Sequence, residues 1–327
     1  MKNQQVMRRR QRIRERKTEQ MVLLAGALLS LLTVSAYDYG IRPLLLGCIA
    51  VLTALAAAAV CQRVRRKPNR LALFRAALDG GILLMLMPVT VPVSLLIMSC
   101  IVTIIIGNFR MRGDSAPFIL PVPAGYCFAW IVNRSGVMQF PEKKMMLPLL
   151  HMDSVKLTEG VSAQWNAQLR FPMNPLDWVR GVRGLPIGST SLFLLVVIGI
   201  VFVIRRAVSW RVIAGVILPL ILSYWYFTYL QFPMRAVAAV CLTNQLLFSV
   251  LFIYGAPSVA PSKVAGVLFG LIMASGYLWM FRVRCMDYAA VWLGIAAGPA
   301  AALLRWIMRT ERAEKEKEQL QKKNCPQ

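Results

Sequence analysis

The side chains able to do chemistry are few and scattered in this sequence. His151 is the only histidine, and seven cysteines stand at positions 48, 61, 100, 127, 241, 285 and 325 with no Cys-x-x-Cys and no regular spacing. A metal or cluster site needs several such ligands converging, and this spacing supplies none. The cysteines read as small apolar residues within helices. No Gly-rich phosphate loop, triad or carboxylate pair lies within an apolar run. Asp79, in LDGG, is the one acid plausibly placed at a membrane, where it reads as a helix start. The best-organised constellation is Gly188-Ser189-Thr190-Ser191, small polar residues at the mouth of the apolar run Leu192–Ile204, which closes on Arg205, Arg206, Trp210 and Arg211. An indole and guanidinium groups at such an end belong at the headgroup level of a bilayer.

Composition says why a bilayer is the solvent. The 327 residues are 57% hydrophobic with a mean hydropathy of +0.58, against the roughly 45–50% apolar content of soluble domains. One aqueous core cannot hide that much apolar surface. The net charge of +24 sits in short clusters between apolar runs, the pattern of the positive-inside rule rather than of a nucleic-acid surface. It sets topology and meets anionic membrane lipid; nucleic acid is not expected as a partner.

The fold class expected is all-α: a polytopic membrane protein of about ten transmembrane helices, N-in and C-in, with one long extracytoplasmic loop. Residues 1–20 form a basic cytoplasmic N-terminus, and the apolar run Met21–Ala36 that follows has no cleavage site, so it reads as a retained first helix. Residues 21–132 make a first membrane half with further crossings at Leu44–Cys61, Leu78–Pro88 and Val91–Gly107. Its fifth segment, Ala116–Val132, carries three prolines and reads as a broken or half-length helix. Residues 133–183 form the extracytoplasmic loop, with Trp165 and Trp178; a loop this long is usually functional or disordered. Residues 184–307 make a second half with crossings at Pro186–Ile204, Val212–Phe227, Ala236–Tyr254, Val264–Phe281 and Tyr288–Ile307, before a charged tail, 308–327. This arrangement puts 27 Lys and Arg inside and 11 outside, seven of the latter in the long loop.

The order of these features resembles the RnfD and NqrB family, membrane subunits of ion-pumping electron-transfer complexes. GLPIGSTSLFLL followed by RRAVSWR is similar to the family's G-x-x-G-E-[ST]-S, apolar run and R-x-x-x-W-R. LDGGILLMLMPVTVPVSLL resembles its third-helix stretch, APFILPVPAG stands where it has N-x-F-N-P-A, and YGAPSVAPSKVAGVLFG is similar to its A-T-D-P-V-T-S-P segment. The resemblance implies electron transfer from ferredoxin towards NAD coupled to sodium or proton movement, in a subunit that is not active alone. It implies RnfA, RnfC, RnfE and RnfG as partners, a multi-pass place in a bacterial cell membrane, and FMN or riboflavin as cofactor.

Departures from the pattern bear on that cofactor. The family's flavin-bearing threonine lies in S-G-A-T, and the counterpart Val161-Ser162-Ala163-Gln164 holds Gln164, with no hydroxyl to esterify; Thr158 is six residues earlier. Ser189, Ala256 and Ile119 replace the Glu, Asp and Asn of the other motifs. The resemblance makes Gly188, Ser189, Thr190 and Ser191 candidates to meet a flavin phosphate or ring edge, and Trp165 a candidate to stack on the isoalloxazine. Small residues at 188–191 equally let helices pack closely, and a loop Trp equally anchors at the interface. Two other classes stay open: a secondary transporter or permease, with segments 88–92 and 116–132 framing a midplane site, and a cofactor-free scaffold subunit.

Overall fold

The computed structural model describes residues 2–66, 68–108, 119–141, 147, 155, 157–159, 185–229, 245–256, 259–261, 264–284 and 288–324. Apolar runs become helices because a backbone removed from water must satisfy its own polar groups. In order these are α1 (Lys2–Tyr39), α2 (Arg42–Arg65), α3 (Arg70–Leu86), α4 (Val93–Asn108), α5 (Pro121–Val132) and the short α6 (Arg134–Met138). Strands β1 (Gln139–Pro141) and β2 (Leu157–Glu159) pair antiparallel, Phe140 opposite Thr158. A 3-10 turn, Ile187–Ser189, leads to α7 (Leu192–Ile204) and α8 (Trp210–Tyr229). Then come α9 (Leu247–Ser249), running into a π-helical turn (Val250–Tyr254), α10 (Val264–Arg284) and α11 (Ala289–Asn324).

The protein is all-α in its architecture and belongs in a membrane as a multi-pass protein. Among the described residues Thr18–Tyr39, Arg42–Arg65 and Ala289–Met308 are long and apolar enough to cross a bilayer, and five shorter apolar helices accompany them. Large side chains such as Leu52, Val60, Ile200, Ile204, Leu222 and Trp306 stand exposed on the helix surfaces, an arrangement that water would penalise and lipid accepts. Inside, a main core draws on almost every described helix, and a small second cluster gathers Ala54, Ala58, Ala76 and Ile104. Helix α2 lies against α3 and α4, α4 against α5, α8 against α10, and α11 against α10 and α5. The α8–α10 approach is a backbone contact: Gly215 faces the Val267 carbonyl and Gly270 faces that of Val212. Small residues permit that closeness, and dispersion between the helices is the gain.

Several expectations change. Helix α3 starts at Arg70, so Asp79 is its tenth residue and not a helix start. The reason lies upstream, where the Asn69 side chain accepts the Leu71 N–H at 3.0 Å while Gln62 brackets Asn69 through its backbone N–H and carbonyl, each at 3.0 Å. Asn69 is thus a well-held N-cap. Asp79 has an interaction of its own. The run Pro186–Ile204 is not one helix, since Ser191 caps α7 and leaves 13 helical residues. Of the fifth segment, residues 116–118 lie outside the described residues, and α5 has 12 residues beginning with Pro121 and Pro123 in the first turn, where a missing N–H costs nothing. Helix α1 is continuous across residue 20, from Lys2 to Tyr39.

Candidate functional site

The chemistry expected at Gly188–Ser191 is answered by local geometry. Gly188 is pressed into α3 and the α9 region: a Cβ there would meet Phe248 Cε2 at 2.7 Å, Met85 Cβ at 2.8 Å and the Met85 carbonyl at 2.9 Å. Any larger residue must push back packed backbone, which is why only glycine suits the position. Behind the turn, Phe248 and Phe252 stack at 4.5 Å and Phe202 meets Phe252 edge-on at 5.5 Å. Ser189 and Thr190 are each 1% exposed. The Thr190 hydroxyl donates to the Ile187 carbonyl at 3.2 Å, and the Ser191 hydroxyl accepts the Leu194 N–H at 3.4 Å as the α7 cap.

These residues therefore do not fit a flavin from the side the structure describes. The space a cofactor would take beside Gly188 holds side chains, and the hydroxyls of Thr190 and Ser191 already serve the chain itself. Of the other candidates, Thr158 lies in β2 opposite Phe140, while Gln164 and Trp165 fall outside the described residues, as do Trp178 and His151. Arg205 and Arg206 form the turn after α7, the Arg206 carbonyl accepts Gln20 Nε2 at 3.2 Å, and the Arg211 guanidinium sits 5.3 Å from the ring centre of the exposed Trp210. Among the described residues no group of His, Cys, Asp and Glu could hold a metal ion, and Cys48, Cys61, Cys100 and Cys127 are free thiols.

The structure adds a second constellation, the proline break between α3 and α4. Residues 87–92 leave the helix, so carbonyls at the α3 end need donors from elsewhere. The Leu86 carbonyl takes Gln245 Nε2 at 2.9 Å, that of Met87 takes the Ile187 N–H at 3.1 Å, and that of Val89 takes Arg42 Nε at 2.9 Å. Thr90 turns outward and donates to the Gln139 carbonyl at 2.8 Å, tying the break to β1. Arg42 is 4% exposed, a buried cation at the start of a membrane helix. The sequence signal for it was present, as the lone charge in GIRPLLL between two apolar runs. Gln245, at φ +62° in the left-handed region, carried no local signal.

From that break a row of buried polar groups runs along the π-helical turn. Ser249 and Tyr254 are five residues apart, about one turn of the π-helix, while Gln245, in the left-handed region, precedes the helix. Gln245 Oε1, Ser249 Oγ and Tyr254 Oη are buried and complete no hydrogen bond, although Ser249 and Cys127 lie near the Tyr254 hydroxyl. Buried oxygens without partners are costly and mark places where a polar guest fits.

Fold and site together define an integral membrane protein with broken helices and buried polar side chains beside the first break. The chain belongs to the NQR2, RnfD, RnfE family, which it matches over residues 8–296. Among curated relatives it is similar to one subunit of the Na(+)-translocating ferredoxin:NAD(+) oxidoreductase complex of Acetobacterium woodii, 25% identical over 189 residues. That stretch spans 57% of this chain and 57% of the relative.

Proposed function

We propose that this protein is the membrane subunit of an Rnf-type complex, coupling electron transfer from ferredoxin to NAD to the movement of sodium ions or protons. Family membership over residues 8–296 carries the reading. Its partners are the other Rnf-type subunits, RnfA, RnfC, RnfE and RnfG, and its place is a bacterial cell membrane. Within the chain, the Gln245, Ser249 and Tyr254 row beside the first helix break is the feature that fits ion passage, because neutral oxygens bind a small cation or a water file weakly enough to release it. The broken helix ends beside it resemble those that border sites in transport proteins.

A flavin, FMN or riboflavin, belongs on this reading with the outer loop around Thr158, Gln164 and Trp165 rather than with the closed turn at Gly188–Ser191. It is held there without a covalent bond, since Gln164 has no hydroxyl. Its chemistry is one-electron and two-electron transfer at the ring. The chain's contribution is to seat it at the membrane surface. Flavin fluorescence of the complex on a denaturing gel tests this. Flavin released from a yellow complex agrees with it, whereas a fluorescent band at this subunit's mass contradicts the non-covalent assignment. A colourless, intact complex removes the redox role from this chain and leaves a scaffold or permease.

A further inference from the structure

Helix α3 holds a carboxylate at the depth where a bilayer is least able to solvate one. The depth follows from its glycines. A Cβ at Gly80 would meet Ala54 Cβ at 2.8 Å and the Ala50 carbonyl at 3.0 Å, and one at Gly81 would meet Leu28 Cδ1 at 3.3 Å. Ala54 stands at the middle of the span Arg42–Arg65, and Leu28 at the middle of Thr18–Tyr39. Asp79, the residue before Gly80, is therefore level with the centres of two full crossings. Its direction follows from helical spacing. Ala76, Leu83 and Leu86 lie three, four and seven residues from it, on one stripe of the helix, and all three are buried. Half-buried Asp79 thus faces the protein, whereas the exposed Phe74 lies round the other side. Leu86 is the residue whose carbonyl takes Gln245 Nε2, about 10 Å further along α3 at 1.5 Å per residue. The carboxylate and the buried Gln245 Oε1, which completes no hydrogen bond, stand at two heights of the same helix.

The helices packed against α3 bring little charge to that depth. Residues 21–36 of α1, 43–61 of α2, 93–107 of α4 and the whole of α5 carry none, and Arg75 lies one turn away within α3. The titratable groups of those stretches are Cys48, Cys61, Cys100, Cys127 and Tyr126, neutral near pH 7. Asp79 has an interaction within the protein, as a charge held at mid-membrane requires. We propose that Asp79 is the carboxylate that carries the coupling cation, a sodium ion or a proton, through the middle of the membrane; this rests on the coupling role proposed above. The neutral oxygens of Gln245, Ser249 and Tyr254 offer a cation no counter-charge, and Asp79 supplies one. Binding also relieves the carboxylate, because a neutralised group is far easier to keep in apolar surroundings than a bare charge. The ion is held at mid-depth and released towards the break.

Dicyclohexylcarbodiimide, an apolar reagent that enters from lipid and modifies protonated carboxyl groups, reads the site without ferredoxin or NAD. Mass spectrometry of the isolated complex should place the adduct on Asp79. With sodium as the ion, saturating sodium chloride should slow the modification at least about tenfold relative to potassium chloride, since bound sodium withdraws the carboxyl from reaction. With the proton as the ion, the two salts act alike. In either case vesicles carrying Asp79→Asn should lose ion uptake and Asp79→Glu should retain it, with unchanged subunit content showing that both complexes assemble. Failure of the coupling role itself shows separately, as wild-type vesicles that take up no ions. An Asp79 that stays unmodified overturns the proposal, and so does an assembled Asp79→Asn complex that takes up ions at the wild-type rate.

Discussion

Two proline breaks among the described residues solve the same problem with different materials. Pro88 and Pro92 stand four residues apart in the first, as Pro257 and Pro261 do in the second. In each, an arginine from another helix donates to a valine carbonyl: Arg42 to Val89 and Arg305 to Val259. The first break also takes Gln245, 159 residues away in sequence, and the Ile187 N–H. Its donors come from both halves of the chain, so satisfying it locks the halves together. The second draws on nearer neighbours, with the Ser209 N–H meeting the Gly255 carbonyl at 3.0 Å and the half-buried Arg305 reaching across from α11. A helix can break at membrane depth where donors are supplied, and the distance they come from decides what the break holds in place.

That difference can be put under load. The largest effect is expected from Arg42→Leu, which strands the Val89 carbonyl in a buried site and removes a charge-assisted bond, costing about 2–3 kcal/mol; Arg305→Leu, where water can substitute, should cost less than half as much. Apparent melting of the detergent-solubilised protein checks both, and equal shifts would erase the distinction between the breaks. Gly188→Val comes next, at about 1–3 kcal/mol of overpacking against Met85 and Phe248, and it should act without altering flavin content if the turn serves packing. Gln245→Leu should cost about 1–2 kcal/mol through the unsatisfied Leu86 carbonyl, and it should slow ion movement as well, which separates the polar row from a purely structural part. The smallest is Thr90→Val, about 0.5–1.5 kcal/mol for one neutral hydrogen bond, seen as faster proteolysis near β1.

Much of the framework was legible because it is written locally. Apolar runs, the prolines of the first break and the Arg and Trp collar after Ile204 each announce themselves within a short window. Asp79 misled because a carboxylate beside two glycines looks like a helix start, while the true cap, Asn69, gains its strength from Gln62 on the preceding helix. At Gly188–Ser191 residue types alone cannot tell a hydroxyl turned to a ligand from one turned to its own backbone, as Thr190 is. Gln245 could not be read at all. Its partner lies across the chain and its conformation is imposed by tertiary packing, and neither leaves a trace in the flanking residues.

Ion uptake by inverted membrane vesicles, driven by reduced ferredoxin in the presence of NAD, tests the assignment most directly. Vesicles from cells lacking this chain are expected to lose uptake of sodium ions or protons together with ferredoxin-dependent NAD reduction, and to regain both when the gene is restored. Uptake and NAD reduction that continue at the same rate without it would contradict a place for this protein in the coupling complex.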